Sequence, residues 1–193
     1  MLNSEQSLDV VKPHFGTLQR IMNETLEDVN KALGTLVETP NNRAKFSLIH
    51  SIAIEKAKKY FDKVKDVFIV SKYQSIQIIF SNKIVARIKK VNKDNISANA
   101  KSGRNDAILM QQTSLFSDLL IEDVSPSTFV DLGYRINQTG DQFENLNVIC
   151  RRLNTVEWHF SFKSEESIIV LDNPQEDSLN VKEEKTIKIK KAK

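Results

Sequence analysis

Cysteine is nearly absent: Cys150 is the only one in 193 residues. A lone thiol closes no internal disulfide, so a reducing, cytoplasmic setting is the expectation. Glycine is scarce at five residues, which argues against a Gly-rich phosphate loop or a barrel of many tight turns. No apolar stretch approaches the roughly 20 residues of a membrane-spanning helix, and no membrane partner is expected. The opening MLNSEQSLDVVKPHF lacks a basic segment followed by an apolar one, so no secretory signal is expected. No CxxC or HExxH occurs, and His14, His50 and His159 stand at no metal-ligand spacing from one another or from Cys150. No metal and no cofactor is therefore expected. His50 reads as a half-buried structural histidine and His159 as a solvent-facing one. Cys150, mid-strand between Ile149 and Arg151, reads as packing rather than as a nucleophile. The acids Asp118, Glu122, Asp123 and Asp131 do not form the strand-borne acid-plus-lysine pattern of a metal-dependent nuclease.

What is present is an ordinary polar-leaning composition, 40% hydrophobic and 27% charged, with a net charge of +3 and a pI near 8.9. Such mild basicity carries meaning only where the charges cluster. Over residues 8–37, apolar residues recur in steps of three and four from Leu8 to Leu36, which predicts a helix. Pro13 and Gly16 weaken its first turn, so a start near Thr17 is expected. Glu27 and Lys31 stand four apart, in the favourable order for an exposed pair. Thr39 before Pro40 reads as an N-cap for a second helix over 43–65, and the short connection predicts antiparallel packing. Lys56, Lys58, Lys59, Lys63 and Lys65 read as its solvated face.

Strand patterns begin at Val67. Ile84, Ala86 and Ile88 alternate with Val85, Arg87 and Lys89, so residues 76–91 predict a hairpin with one buried face around a Ser81-Asn82-Lys83 turn. Residues 92–104 are polar and aperiodic, a loop. A third helix is expected over 107–120, and strands over 128–136, 143–153 and 155–162, with Gly140 left-handed in a turn and an edge strand over 167–171. The expected class is α+β: an N-terminal helical hairpin (1–66) packed on an antiparallel sheet with one further helix (67–171). Residues 172–193, charged, without aromatics and ending in lysines, read as a disordered basic tail.

Basic residues gather at one place in this order. Arg87, Lys89 and Lys90 come from the hairpin, and Lys93, Lys101 and Arg104 from the loop. Arg135, Arg151 and Arg152 fall on later strands. Guanidinium and ammonium groups beside a polar loop suit contact with phosphates or with an acidic partner. Asp94, Asn99 and Gln111 are the candidate specific groups there, and Tyr134 the candidate stacking aromatic. A solvated outer sheet face is the competing reading.

The runs ARIKKVNKDNISANAKSGRNDAILMQQ, VDLGYRINQTGDQFENLNVIC and TVEWHFSF resemble a family of small bacterial proteins from prophages and mobile elements. In that family a strand ending in a basic dipeptide leads to a polar loop with Asp, Ser and Asn, here Arg87, Lys89, Lys90, Asp94, Ser97 and Asn99. A helix with a Gln follows, here Gln111. A Gly-Tyr strand, a Thr-Gly turn and a strand with an acid and Trp complete it, here Gly133, Tyr134, Thr139, Gly140, Glu157 and Trp158. The resemblance spans residues 76–162. Lys101-Ser102-Gly103 replaces the family's Pro-Thr or Pro-Ser step. Members sit beside a gene for a helix-turn-helix protein fused to a zinc-metallopeptidase-like domain. The resemblance implies the toxin-like effector of a toxin–antitoxin or phage-defence module, with that antitoxin-type protein as partner, and it implies no reaction. Two other classes stay open: a non-catalytic nucleic-acid-binding or regulatory module of a prophage, and an enzyme.

Overall fold

The computed structural model describes residues 1–35, 41–72, 75–97, 106, 108–111, 128–163 and 171–172. The chain becomes helical earlier than its apolar pattern predicts. Helix α1 (Ser4–Val11) starts on a capping box, in which Asn3 accepts from the Gln6 N–H and the Gln6 side chain accepts from the Asn3 N–H. Pro13 then sits in a single 3₁₀ turn (Lys12–His14), where its missing N–H costs nothing, and the path continues as α2 (Phe15–Gly34). The start expected near Thr17 is thus corrected. The expected Glu27–Lys31 pair does not form; Glu24 makes the ion pairs instead. Helix α3 (Asn42–Phe61) is capped by Asn41, whose side chain accepts from the Ala44 N–H at 2.9 Å, and not by Thr39. It ends at Phe61, four residues short of the expected Lys65.

Helices α2 and α3 run antiparallel, because residues 24 and 28 of one meet 60 and 56 of the other. Glu24 accepts from the Tyr60 hydroxyl, 2.6 and 2.7 Å from its two oxygens, and pairs with Arg20 at 2.8 Å. Lys56 lies 2.7 Å from Asp28 and 3.4 Å from Glu24, so this lysine binds the two helices together rather than facing solvent.

The sheet has seven strands in sequence order: β1 (Val67–Lys72), β2 (Ser75–Phe80), β3 (Ile84–Lys90), β4 (Thr128–Ile136), β5 (Phe143–Arg152), β6 (Thr155–Ser161) and β7 (Leu171–Asp172). Every neighbouring pair is antiparallel except β3 with β4, which is parallel. That one pair corrects the all-antiparallel expectation. Parallel neighbours need a long crossover, and residues 91–127 provide the length. Asp106, Ile108 and Leu109 are helical, but Met110 and Gln111 form a turn with Gln111 at φ 56°, so the helix expected over 107–120 is interrupted there; residues 107 and 112–120 lie outside the described residues, as do most of the expected edge strand and the tail.

The helices cover one face. Leu18, Ile21, Met22, Leu26 and Val29 of α2 and Ile49, Ala53, Ala57 and Phe61 of α3 share one core with Phe80, Ile84, Leu132, Val148 and Phe160. Each such side chain contributes about 1.5–3 kcal/mol on burial. Trp158 stacks on Phe160 at 5.5 Å. The class is α+β, a helical hairpin on a mostly antiparallel sheet.

Candidate functional site

Period two sends Arg87 and Lys89 of β3 to the face away from the helices, together with Asp131 of β4 and Arg151 of β5. Arg87 and Asp131 are paired directly in the parallel register. That face is not open. Arg87, Asp131, Arg151 and Ser97 are all buried, at 6, 3, 3 and 4% exposure. Arg87 Nη2 donates to Asp131 Oδ1 at 2.9 Å, and Arg151 Nη2 lies 3.2 Å from Asp131 Oδ2. Ser97 Oγ donates to the same Oδ2 at 2.9 Å and accepts from Arg151 Nη2 at 2.7 Å. One carboxylate thus collects two guanidinium groups and a hydroxyl in a setting that strengthens each contact.

Ser97 reaches the cluster because the chain folds back sharply after β3. Val91 bridges Ser97, and Asn92 Oδ1 accepts from the Asp94 and Ile96 N–H groups. Asn95 turns the chain at φ 58° and accepts from the Asn147 side chain of β5 at 3.1 Å. Gly133 lies beneath this turn. A Cβ there would run into Ile149 Cδ1 and crowd Val91 Cγ1, so any larger residue must displace those side chains.

Gln111 fixes a second point. Its Oε1 accepts from the Phe129 N–H at 2.8 Å, and its Nε2 donates to the Phe129 and Arg151 carbonyls at 2.9 and 3.1 Å. The amide acts as a short piece of strand beside β4, where the β4–β5 ladder has begun only at Val130. Between Gln111, Arg87, Asp131 and Arg151 lies a cavity of about 10 Å³, the scale of one water.

No protein-family model, curated protein or solved structure matches this chain. The kinship with mobile-element proteins therefore continues only as a proposal.

Those of the expected surface residues that are described do not share one surface. Arg87 and Gln111 come together, but around the water-sized cavity rather than on a broad surface. Lys89 is half-buried, and burial first and the Arg87 charge second hold its ammonium below the usual lysine range. Lys90 points to the opposite face, its Nζ 3.5 Å from the centre of the Phe46 ring on α3. Tyr134, expected as an exposed stacking platform, is 2% exposed and packs edge-on against Phe143 in the helix-side core. Asp94 is exposed at the tip of the 91–97 turn. Asn99 and Arg104 lie outside the described residues. Sequence reasoning missed Asp131 and Ser97 as partners of the arginines, since nothing in the local pattern links residues 20 to 54 positions apart. It also missed Asn95 as the residue that ties the turn to β5.

The nucleophile and histidine candidates look no more reactive. Burial pushes the Cys150 thiol up to about 12, so it stays protonated at neutral pH. Burial also lowers His50 and His159, which keeps both neutral; His159 is half-buried rather than solvent-facing. Among the described residues no group of three His, Cys, Asp or Glu is placed to hold a metal ion, and no helix is long and apolar enough to cross a membrane.

Proposed function

We propose that this chain is the toxin-like effector of a mobile-element toxin–antitoxin or phage-defence module, acting by contact with a macromolecular partner. An antitoxin-type helix-turn-helix and metallopeptidase-like protein is its cognate in this reading. The observation that supports it is the buried cluster beneath the 91–97 turn. Burying two guanidinium groups and a carboxylate costs several kcal/mol per ion before pairing, and well-packed apolar side chains would hold a sheet face at least as well. The return on that cost is position: the cluster and Gln111 fix the course of the chain at Ser97 and again at Phe129. Asp94 and Lys93 then stand on a turn anchored from below. Asn99 and Arg104 belong to the same stretch as candidate contacts.

The alternative nucleic-acid-binding or regulatory reading has lost two of its main residues to the interior. Arg87 is paired with Asp131 and Tyr134 is in the core, while Lys90 stays exposed, on the helix side against Phe46. It would rest on Lys89, Lys93 and Arg152, and it predicts affinity that falls steeply with salt.

Expression of the chain alone in bacteria tests the main reading. Growth should stop, the protein encoded beside it should restore growth, and Asp94→Lys should relieve the arrest while leaving the circular dichroism spectrum unchanged. Normal growth at high expression removes the toxin reading. Arrest unaffected by Asp94→Lys removes the turn as its contact surface.

A further inference from the structure

An opening of ligand size lies on the helix side, away from the charge cluster. It is a groove of about 330 Å³ between α2 and the turn joining β4 to β5, within the roughly 300–1,000 Å³ range of binding sites. Gln19, Asn23, Glu27 and Asn30 line it from α2, and Asp141 and Gln142 from the turn. Its floor is apolar, made by Leu26, Phe143 and Leu146. Lys163, where the chain leaves β6, closes one side, and its carbonyl accepts from the Gln19 amide. Among the described residues the side chains of Asn23, Glu27, Asn30 and Gln142 make no hydrogen bond, so four polar groups converge on this space uncommitted.

We propose that this groove binds an extended, lysine- or arginine-bearing peptide segment of a partner protein. Three observations favour that class. Carboxamides offer a donor and an acceptor each, which is what a peptide backbone requires. Asn23 and Glu27 stand one four-residue step apart, a rise of about 6 Å along the helix, while Gln19 one step earlier is committed to the Lys163 carbonyl. Two residues of an extended chain advance about 6.6–6.8 Å, so successive groups on α2 meet successive backbone amides on one side of the peptide. The carboxylates of Glu27 and Asp141 then face a cationic side chain. Asp141 is firmly ionised, because the Thr139 hydroxyl and the Asn137 amide donate to it and hold it below the usual carboxylate range. A phosphate-bearing ligand would meet these two carboxylates with only Lys163 lining the groove in its favour. A sugar or a base would find no stacking surface, since Phe143 is 5% exposed and turned against Tyr134.

The test titrates the full chain with two capped octapeptides, one alternating valine and lysine and one alternating valine and glutamate, followed by side-chain amide NMR and calorimetry. The Val–Lys peptide should bind and shift the Asn23, Asn30 and Gln142 amide signals. Asn23→Ala with Asn30→Ala should weaken it roughly tenfold. Glu27→Lys should reverse the preference for lysine over glutamate. These side chains lie at the surface or half-exposed and make no hydrogen bond, so the melting temperature should be unchanged and a lost fold is not the explanation. Equal binding of both peptides, no binding, or binding that ignores the groove variants overturns the proposal. So does a chain that binds only after Lys188→Glu and Lys190→Glu, because its own Ile-Lys-Ile-Lys segment at 187–190 would then be the occupant.

Discussion

Two guanidinium groups and a hydroxyl converge on the carboxylate of Asp131, and the four groups are interdependent. Asp131→Asn keeps the shape but leaves two buried cations without their shared counter-charge. We expect it to cost about 3–5 kcal/mol in urea unfolding. Replacing Arg87, Asp131 and Arg151 together by Met, Leu and Met should cost far less, because the desolvation of three charges disappears with their attraction. A triple variant as unstable as Asp131→Asn would mean that shape, not charge, dominates there. Gly133 makes a separate claim. Gly133→Ala forces a methyl against Ile149 Cδ1 and should destabilise by about 1–3 kcal/mol. Ile149→Val removes that atom, so the double variant should recover part of the loss; strictly additive losses would refute the close-approach account. Arg87 and the face it shares with Lys89 sat in plain view in the sequence; Arg151 was legible only as a residue of a later strand. What the sequence hid was the cover over that face: alternation separates two sides of a strand and does not say whether the polar side meets water. Tyr134 was misread as a stacking aromatic: strand alternation puts it with Val130 and Leu132 on the helix side, where it packs against Phe143.

Among the elements, the helices were the most legible, because a 3.6-residue stripe is a local property. Their ends were less so, since caps depend on single side chains such as Asn3 and Asn41. The strand alternation located β3 to β6 within a residue or two, but the direction of β4 beside β3 could not be read, because direction follows from the path of a 37-residue crossover that local pattern does not encode. The joint between α2 and α3 offers a test at this scale. Glu24 is held down to about 2, first by the Tyr60 hydroxyl and then by Arg20. A carboxylate lowered on folding stabilises above its unfolded pKa, 4.5, and loses that contribution as pH falls through about 2. Tyr60 is raised, chiefly by the same bond, so its share is present below its unfolded value of 10 and fades as pH rises past it. Tyr60→Phe should therefore lower the melting temperature most between about pH 5 and 9. The gap to the parent chain should narrow steadily from pH 5 to pH 2. A constant gap would show that the hydroxyl acts through packing alone.

For the whole molecule, the two faces of the sheet are stabilised by different means, and this should show as two levels of stability. The helix face is a continuous apolar core from Val11 to Phe162, whose loss unfolds everything. Among the described residues, the turn over the far face is held by hydrogen bonds of Ser97 to Asp131 and of Asn95 to Asn147, and Gln111 by its bonds to Phe129, with a small apolar cluster of Ile79, Val85, Ile108 and Phe129 behind them. A segment held mainly by polar contacts is able to open without global unfolding. Native-state hydrogen exchange should then find the amides of Val91, Asn92 and Asn95, bonded within the 91–97 turn and to β4, opening at a lower free energy than those of β4 and β5. Ser97→Ala, which removes one anchor, should speed exchange in the turn while leaving Val148 and Ile149 near their parent rates. Phe160→Ala, which opens a cavity in the shared core at about 3–5 kcal/mol, should speed both together. If Ser97→Ala raised exchange equally across turn and sheet, the cover and the core would be one cooperative unit. The charge cluster would then serve the stability of the whole chain rather than the placement of the turn, and the contact surface proposed at Asp94 would lose its structural support.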